Sequence, residues 1–324
     1  MTVSSGPIFF FLMKTVRNAA MPSAWILSAY VCILCSFPHL LSAGMICDRS
    51  GRKIQVDQPF RRIISLYGAH TENLFSLGLD SEIIGVSRND SWPPQAQMKM
   101  KFSYHDDAEK FMALRPDLVL TRPMIDRVYR PFVRKLEQAG IRVVSLQPVG
   151  MEDMFAYWRD LGTLTGKRAE AENMVRRFQA AVKESAEKLS RIPLSKRKKV
   201  YFEAIHSKMK TFSQNSIAVF VLETAGGINI AGDALQMRST NIAAYGKERI
   251  LAKAAEIDVF LAQHGPMNPV SADIIRSEPG FSAVKAVKEG NVYLIDEWIV
   301  SRPTLRLIEG IRQIHRILYP ENAD

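Results

Sequence analysis

Between Met151 and Leu189 the chain carries no strand signal, while strand and helix patterns alternate on both sides of that stretch. A strandless block of this length inside an otherwise strand–helix chain leaves few folds open. Gly162 and Gly166 interrupt its first part, which reads as a shorter helix ending near Thr165. Arg168 to Leu189 reads as one long helix. Met174, Val175, Phe178, Val182 and Leu189 form its apolar stripe, with charges elsewhere. At about 1.5 Å per residue this helix reaches roughly 33 Å, about the width of one lobe. A helix of that reach, lying between two α/β halves, is expected to connect them.

The first half reads as strands at Lys53–Val56, Arg62–Leu66, Glu82–Ser87, Asp117–Thr121 and Arg142–Leu146. Helices lie around Asp107–Leu114 and Pro131–Ala139, the latter stopped by Gly140. Within it, Arg62–Gly78 spells a strand, a polar break over Tyr67–His70, and a helix. That helix is expected to open at Thr71 as N-cap, with Glu72 in its first turn, and to stop at Gly78. The second half repeats this grammar. Lys199–Ala204, Glu256–Gln263 and Asn291–Asp296 read as strands, Ser216–Ala225 as a helix stopped by Gly226-Gly227, and Pro303–Leu318 as a terminal helix. The expected fold is α/β: two Rossmann-like lobes with mainly parallel sheets, joined by one long helix, with a cleft between them. The expected segments are 48–150 for the first lobe, 151–190 for the connector and 198–324 for the second lobe.

Residues 1–44 read as a signal peptide, with Met13 as an alternative start. Lys14 and Arg17 are its basic region, Ala24–Phe37 its apolar run and Leu41–Gly44 its small-residue end. The apolar run is short for a membrane span, and an uncleaved anchor is the other reading. Cys32 and Cys35 fall inside this run, so only Cys47 is left to the exported chain. Leu34 and Ile46 are too large to precede a lipidated cysteine. The formal charge is +10, but the basic residues are spread along the chain. The one dense run, Ser195–Lys199, lies in a connector, so the surface reads as solvated rather than nucleic-acid binding. There is no G-x-S-x-G elbow, P-loop or strand-following G-x-G-x-x-G. His70, His105, His206, His264 and His315 show no spaced pair on one helix, which argues against a bare-metal site. No catalytic residue and no intrinsic cofactor is assigned.

Loops after parallel strands face the ligand in such sheets. In the first half these loops offer Tyr67, His70, Trp92, Tyr104, His105 and Arg122. In the second half they offer His206, Met209, Arg238, His264, Trp298 and Arg302. The aromatics suit a bulky, flat or greasy ligand, and the arginines suit carboxylates.

Several stretches carry a resemblance. They are GRKIQV from Gly51, RIISLYGAHTENLFSLG from Arg62, EIIGVS from Glu82, AEKFMALRPDLVL from Ala108, LEQAGIRVVSL from Leu136, LGTLTGKRAEAE from Leu161, LETAGGINIA from Leu222 and FSAVKAVKEGNVYLID from Phe281. In this order the chain resembles the periplasmic substrate-binding proteins of iron-complex and cobalamin ABC importers. The resemblance implies two lobes on a rigid helix, little lobe closure, and a monomer located outside the cytoplasmic membrane. It implies an ABC permease partner, with its ATPase behind it. The cargo it implies is an iron or cobalt complex, a ferric siderophore first, cobalamin or haem next; for such cargo Tyr67 or His105 is the expected ligand to a haem iron, and His206 or His264 the expected ligand at an open site on a corrinoid cobalt. It also implies a surface glutamate on each lobe for permease docking, at Glu72 and Glu223. A tetrapyrrole metal chelatase and a metal- or haem-sequestering surface protein without a permease are the alternatives.

Overall fold

The computed structural model describes residues 44–237 and 240–320. The expected leader lies outside these residues up to its last position, as does Arg238. Lobe one opens on a hairpin, β1 (Gly44–Cys47) antiparallel to β2 (Lys53–Val56). It continues through β3 (Ile63–Ser65), α1 (Gly68–Ser76), β4 (Ile83–Ser87), β5 (Met100–Phe102), α2 (Ala108–Met112), β6 (Leu118–Thr121), α3 (Pro123–Val128), α4 (Arg130–Gln138) and β7 (Arg142–Ser145). Its five-stranded sheet has the order β5-β4-β3-β6-β7 and is parallel throughout.

The strandless block forms α5 (Met151–Thr165) and α6 (Arg168–Leu189). Gly166 ends α5 in the left-handed region, at φ 72°, where a side chain would be strained. The α6 stripe is buried at Met174, Val175, Phe178 and Leu189, and Val182 is half-buried, as its spacing predicts. α5 packs on β1 and α1 of lobe one, and α6 packs on lobe two.

Lobe two comprises β8 (Lys199–Ile205), β9 (Lys210–Phe212), α7 (Ile217–Thr224), β10 (Ile228–Asn229), β11 (Leu235–Gln236), β12 (Ile242–Ala244), α8 (Lys247–Ala252), β13 (Val259–His264), α9 (Ala272–Ser277), α10 (Lys285–Lys288), β14 (Val292–Asp296), α11 (Glu297–Val300) and α12 (Leu307–Leu318). β10, β8, β13 and β14 pair in parallel, while β9, β12 and β11 add an antiparallel arm. The arm is absent from the sequence reading because strands of two or three residues are too short to show alternation.

The near-continuous apolar runs of the strands follow from helices on both faces of each sheet. Successive residues point to opposite faces. Ile63, Leu118, Leu120 and Val144 enter one core, and Ile64, Val119 and Val143 another. In lobe two, Phe202 and Leu261 join the first of these cores, while Tyr201 and Phe260 face outward into a third. One core therefore runs from the sheet of lobe one through Trp158 and Phe178 to the sheet of lobe two.

One contact within lobe two is tighter than any side chain allows. A Cβ on Gly310 in α12 would stand 2.0 Å from the carbonyl oxygen of Ile299 in α11. Gly310→Ala is expected to cost about 3 kcal/mol or more, because backbone rather than a flexible side chain must move. Urea unfolding of the variant checks this; an unchanged midpoint would refute it.

Candidate functional site

In lobe one, β3 connects to β4 on one side while β6 lies on its other side. This reversal makes the carboxyl ends of β3 and β6 a switch point, where open α/β sheets bind ligands. Tyr67 follows β3 and Arg122 follows β6, and each is the extended N-cap residue of the next helix. Their side chains meet, the Arg122 guanidinium lying 5.3 Å from the Tyr67 ring centroid. Among the described residues no carboxylate lies within 4 Å of Arg122. Burial pushes the Tyr67 hydroxyl above its ordinary range, with Arg122 and Arg302 opposing.

Lobe two meets this point through the end of β14. Asp296 caps α11 by accepting the Trp298 backbone N–H at 2.8 Å. Arg302 follows, its guanidinium 4.8 Å from the Trp298 ring centroid. Glu297 accepts the Met267 backbone N–H at 3.1 Å, and burial raises its pKa against the pull of Arg302. His264, exposed at the end of β13, also acts on Glu297. Tyr67 thus carries Arg122 stacked on its ring and lies within electrostatic reach of Arg302 and Glu297, so strand-end side chains of both lobes come near one another here. Glu297 is absent from the sequence reading; its place one residue beyond a strand end was the available signal. A separate aromatic group gathers Tyr104, His105 and Tyr129, with ring centroids 4.4 to 5.0 Å apart. Tyr129 escaped the sequence reading because it ends a helix rather than a strand.

Several expectations need correction. The helix after β3 opens at Gly68, with Tyr67 as N-cap and no acidic residue in its first turn. Thr71 instead donates its hydroxyl to Asp90 at 2.6 Å and shares a 2.8 Å hydrogen bond with Ser65. Glu72 is not a surface carboxylate. It is 3% exposed and pairs with Arg302 of lobe two at 2.8 Å. Burial raises its pKa, with Arg302 opposing.

His70 does not face the cleft. It is fully buried, with Nδ1 2.7 Å from the Tyr157 hydroxyl and Nε2 2.8 Å from the Thr121 carbonyl oxygen. Burial lowers its pKa to about 4. His206 turns inward too. Its Nδ1 lies 3.0 Å from buried Glu203, and its backbone N–H donates to Asn268. The hydrogen bond to Glu203 raises its pKa. Met209 occupies a tight turn at φ 45° and packs against the outer core of lobe two. Trp92 lies under Arg306, 4.8 Å from its guanidinium, in a seam cavity of about 270 Å³ shared with Glu72, Phe75 and Thr304. Glu223 is exposed, as expected, and accepts a hydrogen bond from Gln214 at 2.8 Å. Among the described residues no group of three or more His, Cys, Asp or Glu is placed to hold a metal ion.

A family model described as periplasmic binding protein matches residues 63–298, more than half of the chain. The chain belongs to the periplasmic binding protein family. It is 24% identical over 282 residues to an uncharacterized ABC transporter substrate-binding lipoprotein, YvrC, of Bacillus subtilis, covering 85% of each chain. It is 22% identical over 260 residues to the vitamin B12-binding protein of Vibrio cholerae, covering 79% of this chain and 88% of that one. A periplasmic heme binding protein from Pseudomonas aeruginosa superposes with a TM-score of 0.67 at 19% identity, covering 81% of this chain and 93% of that one. These relatives are binding proteins, and the shared fold is a two-lobed one. Among the described residues no helix is long and apolar enough to cross a membrane.

Proposed function

We propose that this chain is an exported receptor that captures a metal–organic complex in the cleft and hands it to an ABC permease. The ligand class we favour is an anionic iron chelate such as a ferric siderophore, with haem and cobalamin next. The observation that carries this is Arg122. It is a cation stacked on Tyr67 at the switch point, with no carboxylate partner among the described residues, and Arg302 lies near the same ring. Trp298 and Tyr67 supply flat apolar faces beside these charges. Nothing in this arrangement calls for a nucleophile or a general base. The purified chain, screened with ferric siderophores, haem and cobalamin, should bind one of them. Tryptophan quenching and a concentration-dependent rise in Tm would report binding. Turnover of metal and porphyrin would favour the chelatase reading instead. A binder whose cell lacks any permease-dependent uptake would favour sequestration.

Docking on the permease is proposed to use exposed carboxylates. Glu223 of lobe two keeps this role. With Glu72 buried, we assign the lobe-one role to Glu109, in the first turn of α2. It is 66% exposed, and its nearest cation, Lys135, is 3.9 Å away, so its charge is free to meet an arginine. Glu109→Arg combined with Glu223→Arg is expected to abolish uptake while ligand affinity stays within about twofold of the parent. Normal uptake by the double variant would sink the assignment.

A further inference from the structure

Glu72 and Arg302 stand 230 positions apart and on opposite lobes, yet they form one ion pair, 2.8 Å between Oε1 and Nη1. Both are largely withdrawn from solvent. Further contacts cross between the lobes at the same place. Asn73 Nδ2 donates to the Pro303 carbonyl at 2.9 Å, and the Trp158 indole N–H donates to that same oxygen at 3.0 Å. Arg306 lies over the ring of Trp92. On its own lobe, Arg302 is held by stacking on Trp298, and the preceding Ser301 hydroxyl donates to buried Gln263 at 2.7 Å. Space for the guanidinium exists because position 68 is glycine: a Cβ there would stand 2.5 Å from Nη1.

We propose that Ser301–Arg306 is a strap tying lobe two to lobe one across the cleft floor, and that Glu72 is the positioning residue that presents Arg302 to the ligand. The positioning half rests on the reading of the cleft as the ligand site. An arginine offers five N–H donors. Glu72 engages Nη1, which leaves the other donors to meet an anionic group. Holding the guanidinium before the ligand arrives removes the cost of ordering it on binding. Among the described residues Glu72 Oε2 has no hydrogen-bond partner, so lobe one does not saturate the carboxylate, and Arg302 is its chief counter-charge. The strap also links two variables. Lobes that move apart must break the Glu72 pair and both Pro303 hydrogen bonds, and doing so draws Arg302 away from Tyr67 and Arg122. Lobe spacing and ligand affinity are therefore coupled through one short segment.

Two measurements on the full exported chain decide this. The first needs no ligand. Spin labels at exposed Met98 and Ile274, introduced as cysteines with Cys47→Ser, report the distance between lobes. Glu72→Gln and Arg302→Gln should each broaden the distance distribution. The double variant should broaden it less than either single change, since neither partner is then left buried alone. Distributions identical to the parent in both single variants would overturn the strap.

The second measures affinity for iron(III) citrate and for haem by tryptophan quenching. Glu72→Gln should weaken binding about tenfold in the parent and not at all in an Arg302→Gln background, because it acts through Arg302. Equal losses in both backgrounds would show a general structural role and overturn the positioning claim. If the parent binds neither probe, the positioning claim for these ligands falls, the wider screen of siderophores and cobalamin still decides the functional reading, and the distance measurement still decides the strap.

Discussion

Arg122→Ala is expected to weaken binding of an anionic iron complex about 10- to 100-fold. A hydrogen bond to a charged group contributes about 1.5–3 kcal/mol, which converts to that range. Arg122 stands at the switch point of the lobe-one sheet and stacks on Tyr67. Its side chain caps no helix and makes no ion pair among the described residues, so the fold should lose little, within about 0.5 kcal/mol. Arg122→Lys keeps the charge but not the planar fork or the stacking, and should fall between the two. Titration by tryptophan quenching, with Tm measured alongside, separates loss of affinity from loss of fold. Full affinity in Arg122→Ala would remove this residue from the site and weaken the case for an anionic ligand.

Acid should destabilise the chain through His70. Its ring is buried, with both nitrogens engaged, and its pKa is lowered to about 4 from an ordinary 6.5. The unfolded chain therefore binds a proton that the folded chain refuses. The stability held at neutral pH is complete above about 6.5 and is lost as pH falls toward 4, by about 3 kcal/mol. Buried carboxylates act in the opposite sense. Burial raises the pKa of Asp160 to about 6 and also raises those of Glu72, Asp90 and Glu203. These groups take up protons more readily in the folded state, so acid relieves part of their cost. The His70 contribution is isolated by comparison with His70→Gln. The variant should be less stable than the parent at pH 7, and that gap should narrow by about 3 kcal/mol by pH 4. Urea unfolding at the two pH values measures the gap; one that stays constant would show that His70 does not titrate as its burial dictates.

These two residues also mark how far the site was legible. Arg122 was accessible because it follows an apolar strand, and strand ends of parallel sheets face the cleft. His70 follows a strand as well, only three residues further on, and the same rule failed for it. The helix begins at Gly68 rather than Thr71, which moves His70 onto the helix and turns it into the core against Tyr157. Helix starts shift by a few residues because the capping signal of Thr71 competes with a tertiary partner. Here Asp90 took that hydroxyl. Gly68, directly after the strand, was the cue, but the reason for a glycine there is the guanidinium of Arg302, which is 234 positions away in the chain.

By itself the sequence determined the longer elements and the faces they bury. Alternation over β3, β6 and β7 sends neighbouring residues to opposite cores, and the spacing of Met174, Val175 and Phe178 commits α6 to one buried face. Such patterns are local, because they depend on the two-residue and 3.6-residue periods of the backbone. The tertiary structure alone decided that Glu72 is buried, that Arg302 is its partner, and that Pro303 receives hydrogen bonds from lobe one and from α5. Charge attraction and carbonyl acceptance carry no period along the chain. Which carboxylate meets which guanidinium is set only when two sheets, built hundreds of residues apart, bring their strand ends to the same cleft.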